Sequence, residues 1–141
     1  MAAPYSGSCL CGSVRFTIVS DPVTVLSCFC NHCSKGAGGA NQILAKFATK
    51  DIEVVGNEDD MAKYELKDTS SGQVKEKSFC RRCGCTLWTI PASAKGKFHL
   101  VRTALLNGGL QLQPANEIFV KNRPSWMSAI EGVPQWEEMR K

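Results

Sequence analysis

The sequence predicts a mostly antiparallel all-β fold with short helical turns, and three observations predict it. Short stretches in which apolar and polar residues alternate recur along the chain. Segments rich in Gly, Pro, Asn and Ser separate them at close intervals. Clustered cysteines at metal-ligand spacing offer a way to pin such short strands together, so the fold is expected to be zinc-stabilised.

The elements follow in order. In Val14-Arg15-Phe16-Thr17-Ile18 the apolar side chains fall on one face, as a half-buried strand requires. Residues 23–27, 42–47, 52–55 and 61–66 read similarly, and residues 74–79, 86–90, 98–105 and 117–121 continue the pattern. Breaks fall at Asp21-Pro22, Gly56-Asn57, Ser70-Ser71-Gly72, Ala94-Lys95-Gly96 and Asn107-Gly108-Gly109. Helical turns are expected only around residues 35–40 and in the tail, residues 125–139. With no internal repeat, low-complexity tract or linker, residues 1–141 read as a single zinc-binding domain large enough to bury a core.

Composition narrows the function classes. Hydrophobic residues at 43% and charged residues at 21% exclude a disordered chain. The formal charge of +4 is scattered apart from Arg81 and Arg82, which disfavours nucleic acid as a partner, since its binders concentrate positive charge on one face. If seven cysteines were thiolates around two dications, +4 would fall to +1, so the basicity balances a buried anionic site. Eight cysteines can mean disulfides or metal. The start MAAPYSGSCLCG has no basic segment and no apolar run of leader length, and no stretch is long enough to span a membrane. The expectation is a cytoplasmic protein with reduced thiols and bound metal.

The cysteines fall in three groups: Cys9-Leu10-Cys11-Gly12, Cys28-Phe29-Cys30-Asn31-His32-Cys33, and Cys80-Arg81-Arg82-Cys83-Gly84-Cys85. A CxxC turn followed by glycine lets two sulfurs converge on one ion, which suits Cys80 and Cys83, and Cys9 with Cys11 supply a second close pair. Two such pairs make a closed four-thiolate site, which is structural. Cys28, Cys30 and Cys33 then remain, and a zinc held by three protein ligands keeps its fourth position for substrate. Three thiolates around a dication favour soft ligands and thiolate chemistry, the making or breaking of a carbon–sulfur bond. His32 or Cys85 would close that site if either bound the metal, and spacing alone does not say which pair shares which ion. His32 also stands as a proton shuttle. The loop Gly36-Ala37-Gly38-Gly39 reads as a tight turn that leaves room for a ligand, with anion binding on its amides as the alternative.

These residues together resemble the glutathione-dependent formaldehyde-activating enzyme family, which includes centromere protein V. The likeness is carried by Cys9, Cys11 and Gly12, by Cys28, Cys30 and Cys33 with Gly36, and by Cys80, Cys83 and Gly84. It extends into Val120-Lys121-Asn122-Arg123-Pro124-Ser125-Trp126 and Gly132-Val133-Pro134. The resemblance implies a β-tent fold with two zinc ions per chain: a structural one on Cys9, Cys11, Cys80 and Cys83, and a catalytic one on Cys28, Cys30 and Cys33. It implies condensation of formaldehyde with glutathione to S-hydroxymethylglutathione. Relatives often carry His where this chain has Phe29, so a more apolar pocket rim is expected here.

The expected function is therefore a zinc-dependent carbon–sulfur lyase acting on a small-molecule thiol, glutathione or its adduct, with His32 and Lys35 as helpers. The alternative is a non-enzymatic zinc-binding module that docks on protein or nucleic acid.

Overall fold

The computed structural model describes residues 4–69 and 71–140. Ser70, part of an expected turn, lies outside them. The described residues form β1 (Tyr5–Ser8), β2 (Arg15–Ile18), β3 (Thr24–Cys28), α1 (Asn31–Ala37), β4 (Gln42–Ala48), β5 (Ile52–Val54), β6 (Met61–Leu66), β7 (Lys75–Cys80), β8 (Thr86–Pro91), β9 (Phe98–Arg102) and β10 (Asn116–Ile118). The chain is mostly β. One three-stranded sheet has the order β1-β2-β5, and one seven-stranded sheet the order β10-β3-β4-β9-β8-β7-β6. Pairing is antiparallel throughout except between β10 and β3, which run parallel.

Nine of the strands lie where alternation places them, and β6 has the expected bounds. Two expected strands are shorter than the pattern suggested: β9 and β10 each give way to a 3-10 turn, at Thr103–Leu105 and Val120–Asn122. β1 was not expected, because Tyr5-Ser6-Gly7-Ser8 carries a single apolar residue. It forms because Tyr5 is buried and packs edge-on against Phe47 at 5.6 Å.

Alternation along each strand gives the larger sheet two unlike faces. Register sets Val25, Ala45, Val101 and Trp88 in one row. That row faces the smaller sheet, and Phe16 meets Trp88 edge to face at 5.3 Å. The opposite face carries Leu26, Cys28, Leu44 and Ile118, a second and smaller apolar cluster. Along it lies the row Tyr64, Lys77, Thr89, Leu100 and Lys46. His99 turns to the core face, where it packs on Trp88 at 5.1 Å and bonds the Thr49 hydroxyl at 2.9 Å.

The tail departs from expectation. Residues 125–139 contain turns and a bridge but no helix. Their backbone is committed elsewhere: Glu117 N–H donates to Pro134 O, Trp136 N–H to Glu117 O, and Phe119 N–H to Glu138 O. Pro124, Gly132 and Pro134 break any helical run, and the extended segment lies beside β10. At the centre of this seam sits the buried carboxylate of Glu117. Ser27 Oγ donates to it at 2.8 Å, Ile130 N–H at 2.8 Å and Gln135 Nε2 at 3.0 Å, and the Arg123 guanidinium lies 3.5 Å away. Burial alone would push this carboxyl up, but those donors and the Arg123 charge hold it below the ordinary range.

A buried charge stripped of its partner is costly, and so is a set of donors stripped of its charge. Glu117→Ala is expected to destabilise the protein by about 3 kcal/mol in urea unfolding at pH 7. Because the folded carboxyl titrates below its unfolded value, the stabilisation is complete above the unfolded pKa and is lost as pH falls through the folded one. The gap between wild type and variant should therefore close on acidification below about pH 4.

Candidate metal centres

Two knuckle-like turns build the first thiol cluster. In one, Gly12 N–H donates to Cys9 O at 3.2 Å and Cys9 N–H to Val14 O at 3.0 Å; in the other, Gly84 N–H donates to Cys80 O at 2.8 Å and Cys80 N–H to Cys85 O at 2.9 Å. Both glycines have left-handed backbone, φ 79° and 76°, which a side chain would strain. The turns bring Cys9, Cys11, Cys80 and Cys83 together with all sulfurs within 4.8 Å of one another. Cys9 and Cys11 sulfurs are 3.6 Å apart, and Cys11 and Cys80 sulfurs 3.7 Å. A tetrahedral zinc with bonds of about 2.3 Å separates its sulfurs by about 3.8 Å, so the donor set and its spacing fit that ion. Val14 N–H points at Cys9 Sγ from 3.3 Å, a donor that favours thiolate.

The second cluster forms where β3 runs into α1. Cys28 ends the strand, Cys30 is the N-cap residue of the helix, and Cys33 lies in its first turn. Cys33 N–H donates to Cys30 Sγ at 3.4 Å. The three sulfurs lie within 4.8 Å of one another, and among the described residues no His, Asp, Glu or further Cys donor joins them. Cys28 and Cys33 are buried and Cys30 is partly open. Hydrogen bonds from Cys28 and Cys33 lower the Cys30 thiol to about 2, while the same crowding drives Cys28 far up. Cys33 is likewise raised, to about 11, so one thiol of the three is acidic and a bound cation would be needed to draw the protons from the other two. Lys75 assists, its charge favouring thiolate at both Cys30 and Cys33.

The other sequence candidates are placed around these clusters. His32 bonds Asp68 Oδ1 through Nε2 at 2.9 Å, and Lys35 is exposed on α1. Cys85 belongs to neither cluster; its thiol contacts Thr86 O at 3.7 Å, and burial raises its pKa. All eight cysteines are free thiols. In the loop after Cys33, Gly38 and Gly39 N–H both donate to Ser34 O, so those amides end the helix rather than cradle an anion. Phe29 does not line an open rim: it is 2% exposed, and the Arg123 guanidinium stacks over its ring at 5.2 Å. The strand places Cys28 and Phe29 on opposite sides, so Phe29 fixes the cysteine loop from behind. Arg102 and the β7 lysines were not expected at this site. The lysines' only sequence signal was the alternation of charge in Lys75-Glu76-Lys77, and Arg102, which donates to Gly36 O, carried none.

A mostly β chain with one four-sulfur and one three-sulfur cluster defines a class of proteins organised around paired thiol sites. Residues 4–122 match the family described as glutathione-dependent formaldehyde-activating enzyme, and the chain belongs to that family. A Halomonas elongata protein named "Putative glutathione-dependent formaldehyde-activating enzyme" is 29% identical over 123 residues, covering 86% of this chain and 78% of that one. A crystal structure of a Rhodobacter sphaeroides protein superposes with a TM-score of 0.59 over 93% of this chain and 98% of that chain, at 19% identity, a likeness of fold. No described helix is long and apolar enough to cross a membrane.

The packing of Phe29 makes a separate test possible. Phe29→Ala should cost about 3 kcal/mol of stability, read by urea unfolding of the metal-loaded protein, because it empties a buried ring's volume beneath Arg123. The metal content should stay at the wild-type value, since every sulfur is retained.

Proposed function

We propose that the protein is a zinc-dependent carbon–sulfur lyase that joins glutathione, or a related thiol, to formaldehyde or another small electrophile, and catalyses the reverse cleavage. The observation that carries this reading is the second cluster: three sulfurs within 4.8 Å and, among the described residues, no fourth donor from the chain. Cys28, Cys30 and Cys33 would hold a zinc there, and Cys9, Cys11, Cys80 and Cys83 a second one. Bound zinc would supply a soft Lewis-acid position at which a substrate thiol loses its proton. The family membership supports glutathione as the sulfur partner.

The overall reaction adds S–H across a carbonyl. A carbon–sulfur bond forms, the carbonyl electron pair passes to oxygen, and the thiol proton ends on that oxygen, so no oxidant or reductant is needed. The chain's own groups have distinct parts in this reading. Cys33 N–H steadies Cys30 Sγ, and Lys75 offsets the negative charge of the three sulfurs. His32, with Asp68 holding Nε2, is the group assigned to proton handling, while Lys35 offers an exposed positive charge on the same helix. The alternative, an interaction module, rests on Arg81 and Arg82, which stay exposed although Arg81 donates to Met61 O at 3.3 Å and Arg82 lies 3.9 Å from Asp60.

Metal analysis beside an activity assay tests the proposal. Purified protein should carry about two zinc ions, and Cys30→Ser about one with its unfolding transition retained, because a three-ligand site that loses a thiolate empties. The acceleration of glutathione–formaldehyde condensation over the uncatalysed background, followed by exchange NMR, should vanish in that variant. Unfolding together with zinc loss in Cys30→Ser would mean that the structural and catalytic roles are the other way round.

A further inference from the structure

The open face of the seven-stranded sheet carries, beside the three-sulfur cluster, positive charge that no described carboxylate of the chain pairs. Lys75 and Lys77 alternate onto this face of β7, and Glu76 between them turns to the other face, where it pairs with Lys63 at 3.1 Å. Lys46, further along the face, is occupied by the Phe98 ring at 4.2 Å. Asp68 is engaged by His32. Among the described residues no carboxylate pairs with Lys75, Lys77 or Arg102.

These cations meet the site at Gly36. That residue follows Cys33 by three positions on α1, hence lies on the same side of the helix one turn on. Arg102 donates through Nη2 to Gly36 O and through Nε to Gln42 Oε1, which fixes its guanidinium. A Cβ built on Gly36 would stand 3.5 Å from Arg102 Nη2 and 3.7 Å from Lys77 Nζ. The bare glycine thus leaves a space one residue wide, walled by two cations and one helical turn from a cluster sulfur. All three cations are half-buried, which strengthens their field relative to a fully solvated charge.

We propose that Lys75, Lys77 and Arg102 form a carboxylate-recognising floor beside the three-sulfur cluster, so that the chain selects thiols carrying two carboxylates over neutral thiols of the same length. The proposal rests on the reading that this cluster receives a substrate thiol, and names what else on that substrate is recognised. A short γ- or α-linked peptide thiol with free carboxylates fits; its esterified form does not. Arg102 is fixed in place by its two protein acceptors, whereas the lysines supply the movable charges.

Calorimetric titration of the zinc-loaded protein with S-methylglutathione isolates the floor, because that ligand keeps both carboxylates but has no thiol to ionise. The acid should bind at least about tenfold more tightly than its diethyl ester, a difference of about 1.4 kcal/mol. Lys75→Gln and Lys77→Gln should each weaken the acid about fivefold and leave the ester unchanged, with zinc content as in wild type. Gly36→Asp, which keeps every cation but sets a carboxylate among them, should weaken the acid to a similar extent. Equal binding of acid and ester, or lysine variants that bind the acid as wild type does, would overturn the floor even if glutathione and formaldehyde condense normally. Lysine-dependent binding of the acid with no thiol turnover would uphold the floor and sink the lyase reading instead.

Discussion

Successive side chains of a β-strand point to opposite faces, and in the seven-stranded sheet that alternation keeps the two thiol clusters apart. Cys80 shares a face with Ser78 and so with Trp88 and the main core, while Cys28 shares the other with Leu26 and Leu44. A one-residue slip of either strand would exchange the faces and leave one cluster without its partners. The four-sulfur cluster can therefore draw together a turn next to β1 and a turn after β7, with Cys11 and Cys80 69 positions apart, while the three-sulfur cluster sits in the second, smaller apolar cluster. Segregation by face sets the clusters in unlike surroundings: Cys28 and Cys33 are buried and Cys30 partly open in one, while Cys11 is exposed at the edge of the other.

The open face is bounded by a tail that has no regular structure of its own. Its order comes from β10, whose backbone bonds residues 134–138 and whose Glu117 gathers donors from three directions. The same seam reaches the cysteine loop: Glu117 binds Ser27, the residue before Cys28, and Arg123 stacks on Phe29, the residue after it. Trp136 completes the contact on the opposite side, donating to Asn116 Oδ1 at 2.8 Å and packing on the second apolar cluster. Phe119 bends the chain between these contacts at φ 56°, a conformation that a non-glycine residue keeps only when its surroundings over-determine it. A rigid mount for Cys28 is the consequence, and positioning of a reactive group depends on such support.

Charge on the open face is arranged with the same economy. The helix that carries Cys30 and Cys33 also ends at a carbonyl bonded by Arg102, so one guanidinium ties the cysteine loop to β9 and adds positive potential beside the three thiols. Burial pulls the Arg102 pKa down and the nearby Cys85 and Cys33 push it back up. Mutual stabilisation of this kind lets the site hold thiolates and cations together in a setting where neither would be comfortable alone.

Alternation and turn residues made most strands legible, because both are local properties of the chain, and cysteine spacing made the two thiol groups and their family resemblance legible for the same reason. What the residues could not express locally was pairing at a distance. β1 escaped notice because its single apolar residue gains meaning only when Phe47 covers it, and the tail looked capable of helical turns because its backbone partners lie in β10. Phe29 looked like a rim residue in the sequence, and only its burial under Arg123 removes it from the pocket. Lys75, Lys77 and Arg102 are unremarkable in sequence; register alone decides that they share a face and that Glu76 does not. The sequence by itself determined the donor chemistry, since thiol, imidazole and ammonium are covalent properties of residues. The tertiary structure decided which donors converge and which charges are left without partners, because those are sums over neighbours that the chain acquires only on folding.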